Sequence, residues 1–367
     1  MPDLSNKPLL TFAIGAYNQE KFIREAVESA FAQTYSPLEI ILSDDCSPDR
    51  TFEIMSEMAK EYRGPHKIVL NRNPSNFGLG KHINRIWELV HGEFLVVEAG
   101  DDISLPNRTE VMFNAWEHSG RKTRVIQCRT IDIDEEGGLL GGPEDAADSG
   151  EIKFTEQRPA LESYLSTLRP GILGCALGYD PELFRIFGPL PDGLIHEDNV
   201  IALRAMIFGP MLFVSARLLR RRIHGNNIYS HVHERVATRD AVARQEARVT
   251  RDARNRVILY EAMLSDLATA KKKGLIKEEE CPALERECLR QKRLFSCQMN
   301  YAGASLIGKI QLFLAARRDK ADRVLLKWMA LRLPPTSMFQ WTKTRVNSVR
   351  LAVSARLAPG GKKQWTS

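Results

Sequence analysis

Phe94-Leu95-Val96-Val97-Glu98-Ala99-Gly100-Asp101-Asp102 begins as a short apolar strand and ends as a cluster of acids. Asp is depleted in strands. Two adjacent carboxylates also repel one another unless something positive stands between them. The strand therefore ends at Val97, and the acids sit in the loop beyond its carboxyl end. A hard divalent ion with oxygen ligands would satisfy Asp101 and Asp102; a solvated turn is the alternative.

Working outward, the preceding sequence alternates strands with amphipathic helices. Leu9 to Ile14 reads as the first strand, and Phe22, Ile23, Ala26, Val27, Ala30 and Phe31 then recur at helical spacing. Leu38 to Leu42 is the second strand, followed by a helix with Phe52, Met55, Met58, Ala59 and Tyr62. Ile68 to Leu70 is the third, and Ile83, Ile86, Trp87 and Val90 mark the next helix. This is the pattern of an α/β domain with a mostly parallel sheet. Ligands of such sheets bind at the carboxyl ends of the strands. Those ends carry Tyr17-Asn18, Asp44-Asp45 and Asp101-Asp102.

Tyr17 offers a ring that can stack on a base, and Asp45 a carboxylate that can accept an imide N–H. Asp45 or Ser47 equally suits a helix N-cap. Further on, His196-Glu197-Asp198 precedes an amphipathic helix, where an acid also suits the helix dipole. His224 ends an apolar, strand-like run, and for a lone histidine a structural role is the default.

Taken in order, these motifs resemble family 2 of the inverting GT-A glycosyltransferases, over about Pro8 to Asn227. The ordered set is Tyr17-Asn18, Ser29 and Gln33 on the first helix, Asp44-Asp45-Cys46-Ser47-Pro48-Asp49, and Asn76-Phe77-Gly78. It continues with Asp101-Asp102, Pro106 with Arg108, Glu197-Asp198, and Arg222 with His224. The resemblance implies a Rossmann-like GT-A catalytic domain with a mixed, mostly parallel sheet over residues 1–235. It implies a nucleotide-diphospho-sugar donor, a UDP-sugar first, and a hydroxyl of a glycan or lipid-linked acceptor, as in bacterial surface polysaccharide synthesis. It also implies roles for particular residues. Tyr17 and Asp45 contact the nucleobase, Asn76 lies near the base or ribose, and Asp101 meets the ribose or donor sugar. Asp102 ligates Mn2+ or Mg2+ with help from His224, Asp198 is the general base, and Glu197 lies in the acceptor region. Two positions depart from the family pattern. Ala99 stands where the first acid of the Asp-x-Asp motif belongs, and Cys46 replaces the usual glycine.

From roughly Val236 the chain changes to Arg-rich helical stretches, expected to form a basic α-helical region over residues 236–367. Residues 303–367 carry 13 Lys and Arg against two acids, whereas the rest of the chain has 39 against 44. A basic tail on a mildly acidic body suits an anionic surface. Leu306, Ile307, Ile310, Phe313 and Leu314 form one apolar helical face, and Val324, Leu325, Trp328 and Leu331 a second. An anionic membrane and a second copy of the chain are the partners these faces suggest; nucleic acid is not expected. The six scattered cysteines and the polar residues 1–7 point to a cytoplasmic protein, peripheral on the inner membrane face if the tail docks there. A sugar-phosphate nucleotidyltransferase would need a Gly-rich phosphate loop after the first strand, where only Gly15 is found. A non-catalytic scaffold would not be expected to retain the acids.

Overall fold

The computed structural model describes residues 7–141, 151–169, 171–225, 227, 239–301, 303–321 and 323–330. Four parallel strands open it: Leu10–Ala16 (β1), Leu38–Asp44 (β2), Lys67–Arg72 (β3) and Leu95–Ala99 (β4). Every residue of β2 and nearly every residue of β1 is buried. Central parallel strands covered on both faces require that. Ile23–Phe31 (α1), Thr51–Glu61 (α2) and Leu79–Glu88 (α3) are the crossovers. Helix α1 turns Ile23, Ala26, Val27 and Ala30 toward the sheet, where they join Phe12, Ile14, Ile40, Leu42 and Val96 in the main core.

The strand expected to end at Val97 continues through Glu98 and Ala99, because Ile14 pairs with Glu98 and Gly15 with Ala99. Burial pushes the Glu98 carboxyl up to about 8, and its neighbours counter this only in part. The Ser29 hydroxyl donates to it at 3.1 Å, the Ser104 hydroxyl donates as well, and the Arg108 guanidinium lies 3.7 Å away.

The sheet then turns mixed. Ile103–Ser104 (β5), Val125–Ile133 (β6), Phe154–Gln157 (β7), Leu177–Tyr179 (β8) and Met211–Arg222 (β9) extend it in the order β3-β2-β1-β4-β8-β6-β9-β5, with β7 also on β9. Strand β8 runs antiparallel to β4 and β6, while β6 and β9 are parallel. The long β9 therefore delivers residues 222–224 to the same sheet edge as the ends of β1, β2 and β4. Arg108–His118 (α4), Leu161–Thr167 (α5), Glu182–Phe187 (α6) and Glu197–Phe208 (α7) complete this part.

Four helices follow: Arg239–Lys272 (α8), Cys281–Tyr301 (α9), Leu306–Arg318 (α10) and Arg323–Ala330 (α11). Among the described residues, those up to 227 group with 255–292 in one unit, and 239–254 with 293–330 in a second. The helical residues 255–292 thus belong with the sheet. In the second unit Leu294, Cys297, Tyr301, Ala316 and Met329 form a small core, and the Tyr301 hydroxyl donates to the Met329 carbonyl at 2.7 Å. No helix among the described residues is long and apolar enough to cross a membrane. The tail beyond residue 330, with Trp341 and Trp365, and residues 142–150 lie outside the described residues.

Arg204 of α7 and Asp266 of α8 join within the first unit through a bidentate pair, Nε to Oδ2 at 2.7 Å and Nη2 to Oδ1 at 3.1 Å, both side chains buried. The guanidinium also donates to the Gly188 carbonyl at 2.8 Å and lies over the Phe184 and Phe187 rings. Removing one member leaves an uncompensated buried charge, so Asp266→Ala should lower the unfolding free energy by about 3–5 kcal/mol. The double change Arg204→Met/Asp266→Leu should recover most of it. Urea denaturation measures both; a loss below about 1 kcal/mol in the single variant would contradict the account.

Candidate functional site

The site is built where β1, β2, β4 and β9 end. Ala16 pairs with Asp44 and Gly15 with Ala99, so the residues just beyond, Tyr17, Asp45 and Asp101, share one edge. Tyr17 is 46% exposed there, its ring open to a ligand. Asp44 is fully buried and accepts from the Ser47 amide at 3.0 Å and from its hydroxyl. The Ser47 oxygen in turn accepts from the Asn18 amide at 2.9 Å, locking the first turn to the second. Cys46, in the place of the family glycine, has φ 60°. That is the left-handed region in which glycine is strain-free, so the glycine preference has a backbone cause.

Asp45 is buried and already committed. Oδ1 accepts from Asn73 Nδ2 and the Phe77 amide, each at 2.8 Å, and Oδ2 from the Gly78 amide at 2.9 Å. Asn76 Oδ1 also accepts from the Gly78 amide at 2.9 Å. Asp45 and Asn76 therefore share one turn, which Asp45 holds against the end of β2. Gly78 has φ 75°, as a glycine readily adopts.

At the end of β4, the two acids part company. Asp101 Oδ2 faces His224 Nε2 at 2.8 Å, and Asn227 Nδ2 donates to the same oxygen at 3.1 Å. Asp102 points inward: Oδ1 accepts from the Arg222 amide at 2.9 Å, and the Cys175 thiol lies against the carboxyl. Burial, with Asp101 adding to it, pushes Asp102 up to about 7. His224 is thus brought to Asp101, not to Asp102.

Arg222 binds this turn together. Its side chain is fully buried; Nε donates to the Asp101 carbonyl at 3.0 Å, Nη1 to the Glu135 carbonyl at 2.6 Å, and Nη2 to Glu25 at 2.9 Å. The Phe22 ring lies 5.0 Å from the guanidinium and 4.9 Å from the His224 ring.

The donor set suits a hard divalent ion. Asp101 and His224 offer an oxygen and an imidazole nitrogen, and the cis ligands of an octahedral ion at about 2.1 Å stand about 3 Å apart. Among the described residues no group of three or more His, Cys, Asp or Glu is arranged so that it could hold a metal ion by itself. An ion here would take its remaining ligands from phosphates and water, as Mg2+ usually does.

Glu197 and Asp198 form the other wall, in the first turn of α7. A Cβ on Gly174 would lie 2.8 Å from Glu197 Oε1 and 4.0 Å from Asp198 Cβ, while the next residue, Cys175, touches Asp102. The short 3-10 turn Gly174–Ala176 therefore separates the two acid pairs, with Gly174 leaving room for Glu197. Glu197 is the more deeply buried; Oε2 has no hydrogen-bond partner among the described residues, and burial holds its pKa well above the usual carboxylate range. Asp198 is less enclosed, and Oδ1 accepts from the Asn199 amide at 2.7 Å. Burial pushes it up to about 6.

Sequence reasoning did not anticipate Gly174, Cys175 and Glu98, or the structural work of Ser29, Gln33 and Arg108. Arg108 is fully buried, donating to the Ser104 hydroxyl and to the Val97 and Cys175 carbonyls at 2.7–2.8 Å. Gln33 accepts from the Thr109 amide and hydroxyl and donates to the Leu105 carbonyl. These family-motif residues clamp the base of the acid turn. An acid inside an otherwise apolar strand was the available signal for Glu98.

Residues 11–162 match the family model described as glycosyl transferase family 2. A Bacillus subtilis protein named as the glycosyltransferase EpsE is 30% identical over 134 residues, 36% of this chain and 47% of that one. The chondroitin synthase of Escherichia coli is 31% identical over 140 residues, 37% of this chain and 19% of that one. Staphylococcus aureus TarS 1–349, solved in complex with UDP-GlcNAc, superposes with a TM-score of 0.49 at 17% identity, covering 87% of this chain and 90% of that one. The chain spans less than half the length of the first curated relatives it matches. The ordered motifs converge on one sheet edge, and over residues 11–162 the chain is similar to glycosyl transferase family 2.

Proposed function

We propose that this chain transfers a sugar from a nucleotide-diphosphate donor to an acceptor hydroxyl, inverting the anomeric carbon. The observation that carries this reading is the pair of acid clusters on either side of Gly174–Ala176: Asp101 with His224 on one side, Glu197 with Asp198 on the other. A leaving diphosphate and an incoming hydroxyl need opposite help, a cation for the first and a base for the second.

On the donor side, the exposed Tyr17 ring would stack on the base, with a UDP-sugar the first choice. Asp45 and Asn76 border the nucleoside through the turn they share. Mn2+ or Mg2+ would be held by Asp101 and His224 and would neutralise charge building on the diphosphate. Asp102 stands behind them and holds the turn to β9. Asp101 would reach the ribose or sugar only with its second oxygen.

On the acceptor side, a hydroxyl of a glycan or lipid-linked glycan would approach Asp198. A sugar hydroxyl is far too weak an acid to ionise at neutrality, so a carboxylate within hydrogen-bond reach accelerates attack. Asp198 is the more accessible of the two acids, and a pKa near 6 leaves it ionised at pH 7 while raising its basicity. Glu197, enclosed beside it, forms the floor of the acceptor region.

Asp198→Asn should lower kcat by roughly 10²–10⁴-fold with donor affinity retained. The base works deprotonated, so kcat/KM of the unmodified enzyme should be level above about pH 7 and fall about tenfold per unit below about pH 6. Because Glu197 and Asp198 interact, that acid limb belongs to the pair. Near-normal turnover in Asp198→Asn would remove the residue from this role.

Asp101→Asn and His224→Ala should each weaken Mn2+-dependent UDP binding by roughly tenfold or more, read by isothermal titration. Binding by the unmodified protein should collapse in excess EDTA. Equal UDP affinity with and without EDTA would refute a metal-assisted donor site.

A further inference from the structure

Helix α10 is apolar on two sides, and the described residues of its own unit cover one of them. Leu312, Phe313, Ala315 and Ala316 pack toward Leu294, Cys297, Tyr301 and Met329. Leu306, Ile307, Ile310 and Leu314 stay 55%, 71%, 44% and 56% exposed. At 100° per residue these four fall within an arc of about 100°, a single stripe along the helix. Phe313, which the sequence assigns to the same face, turns inward at its edge. A helix apolar all round normally has both sides buried, so the outer stripe calls for a covering surface.

Charge selects that surface. Arg317 and Arg318 close the helix, Lys309 lies along it, and Lys320, Arg323 and Lys327 follow, with Asp319 and Asp322 the only acids between. Asp319 is engaged by Arg293, Nε to Oδ2 at 2.8 Å. The sequence beyond residue 330 adds seven Lys and Arg and no acid. Two copies of so basic a surface repel one another, whereas an anionic bilayer neutralises the cations and receives the aliphatic stripe. An aliphatic face flanked by Lys and Arg is what an interfacial helix needs.

We propose that the outer face of α10 is a docking surface for an anionic lipid bilayer, with Leu306, Ile307, Ile310 and Leu314 entering the headgroup boundary and the neighbouring cations contacting lipid phosphates. This stands on a different unit from the catalytic reading and does not depend on it.

The test is flotation of the full chain with vesicles of phosphatidylcholine alone and of phosphatidylcholine with about one-third phosphatidylglycerol. The chain should float with the anionic vesicles, not the neutral ones, and less well as salt rises. Ile307→Glu/Ile310→Glu, both exposed and so compatible with folding, should reduce the bound fraction by roughly tenfold or more. Circular dichroism and UDP binding should be unchanged in that variant. Sedimentation velocity of both proteins reports self-association. Absence of flotation with anionic vesicles would overturn the proposal. So would flotation indifferent to the double variant, which would assign binding to tail charge alone. A dimer abolished by Ile307→Glu/Ile310→Glu would assign the stripe to a second copy.

Discussion

The buried guanidinium of Arg222 is the interaction on which the candidate site depends. A charged group taken from water must be fully hydrogen-bonded. Arg222 meets that demand by gathering the Asp101 carbonyl, the Glu135 carbonyl and the Glu25 carboxylate around itself. Its own amide meanwhile fixes Asp102. One side chain thus ties the end of β9 to the turn after β4, to α1 and to the loop after β6. His224, two residues on, has little freedom left: Phe22 lies against both its ring and the Arg222 guanidinium, and Asn227 caps its amide. The geometry that sets Asp101 against His224 is a consequence of satisfying that one buried charge.

The same logic separates neighbouring acids into different roles. Asp101 and Asp102 are adjacent in sequence, yet Asp101 turns to His224 and Asp102 to Arg222 and Cys175. Glu197 and Asp198 divide likewise, one enclosed and one accessible. Pairs of like groups whose surroundings differ in this way can take separate charge-binding and proton-accepting functions.

The parallel half of the sheet was legible because β1, β2 and β4 are mostly buried on both sides and read as apolar runs between amphipathic helices. The antiparallel and mixed half was not: β5 and β8 have two and three residues, too short for a periodic signal. Motif order singled out Asp45, Asp101, Asp198 and His224, and the structure sets each of them beside the start or end of an element. What the sequence could not display was pairing across more than a hundred residues. Asp101 and His224 meet only because β9 runs parallel to β6 and its end pairs with β5, directly after the Asp101-Asp102 turn. Nor could it display orientation within a pair of adjacent acids, which the Arg222 amide decides. Cys46 stood out as a departure from the family pattern, but only its φ of 60° explains what the usual glycine is for.

The central claim is that the two acid clusters perform one displacement at an anomeric carbon, from opposite sides. Its most direct test is to incubate the chain with Mn2+ and a panel of nucleotide sugars and to record proton NMR of the earliest product. An α-linked donor such as UDP-GlcNAc should give a β-configured product, with release of the nucleoside diphosphate. A product of retained configuration, or release of a nucleoside monophosphate instead, would contradict it.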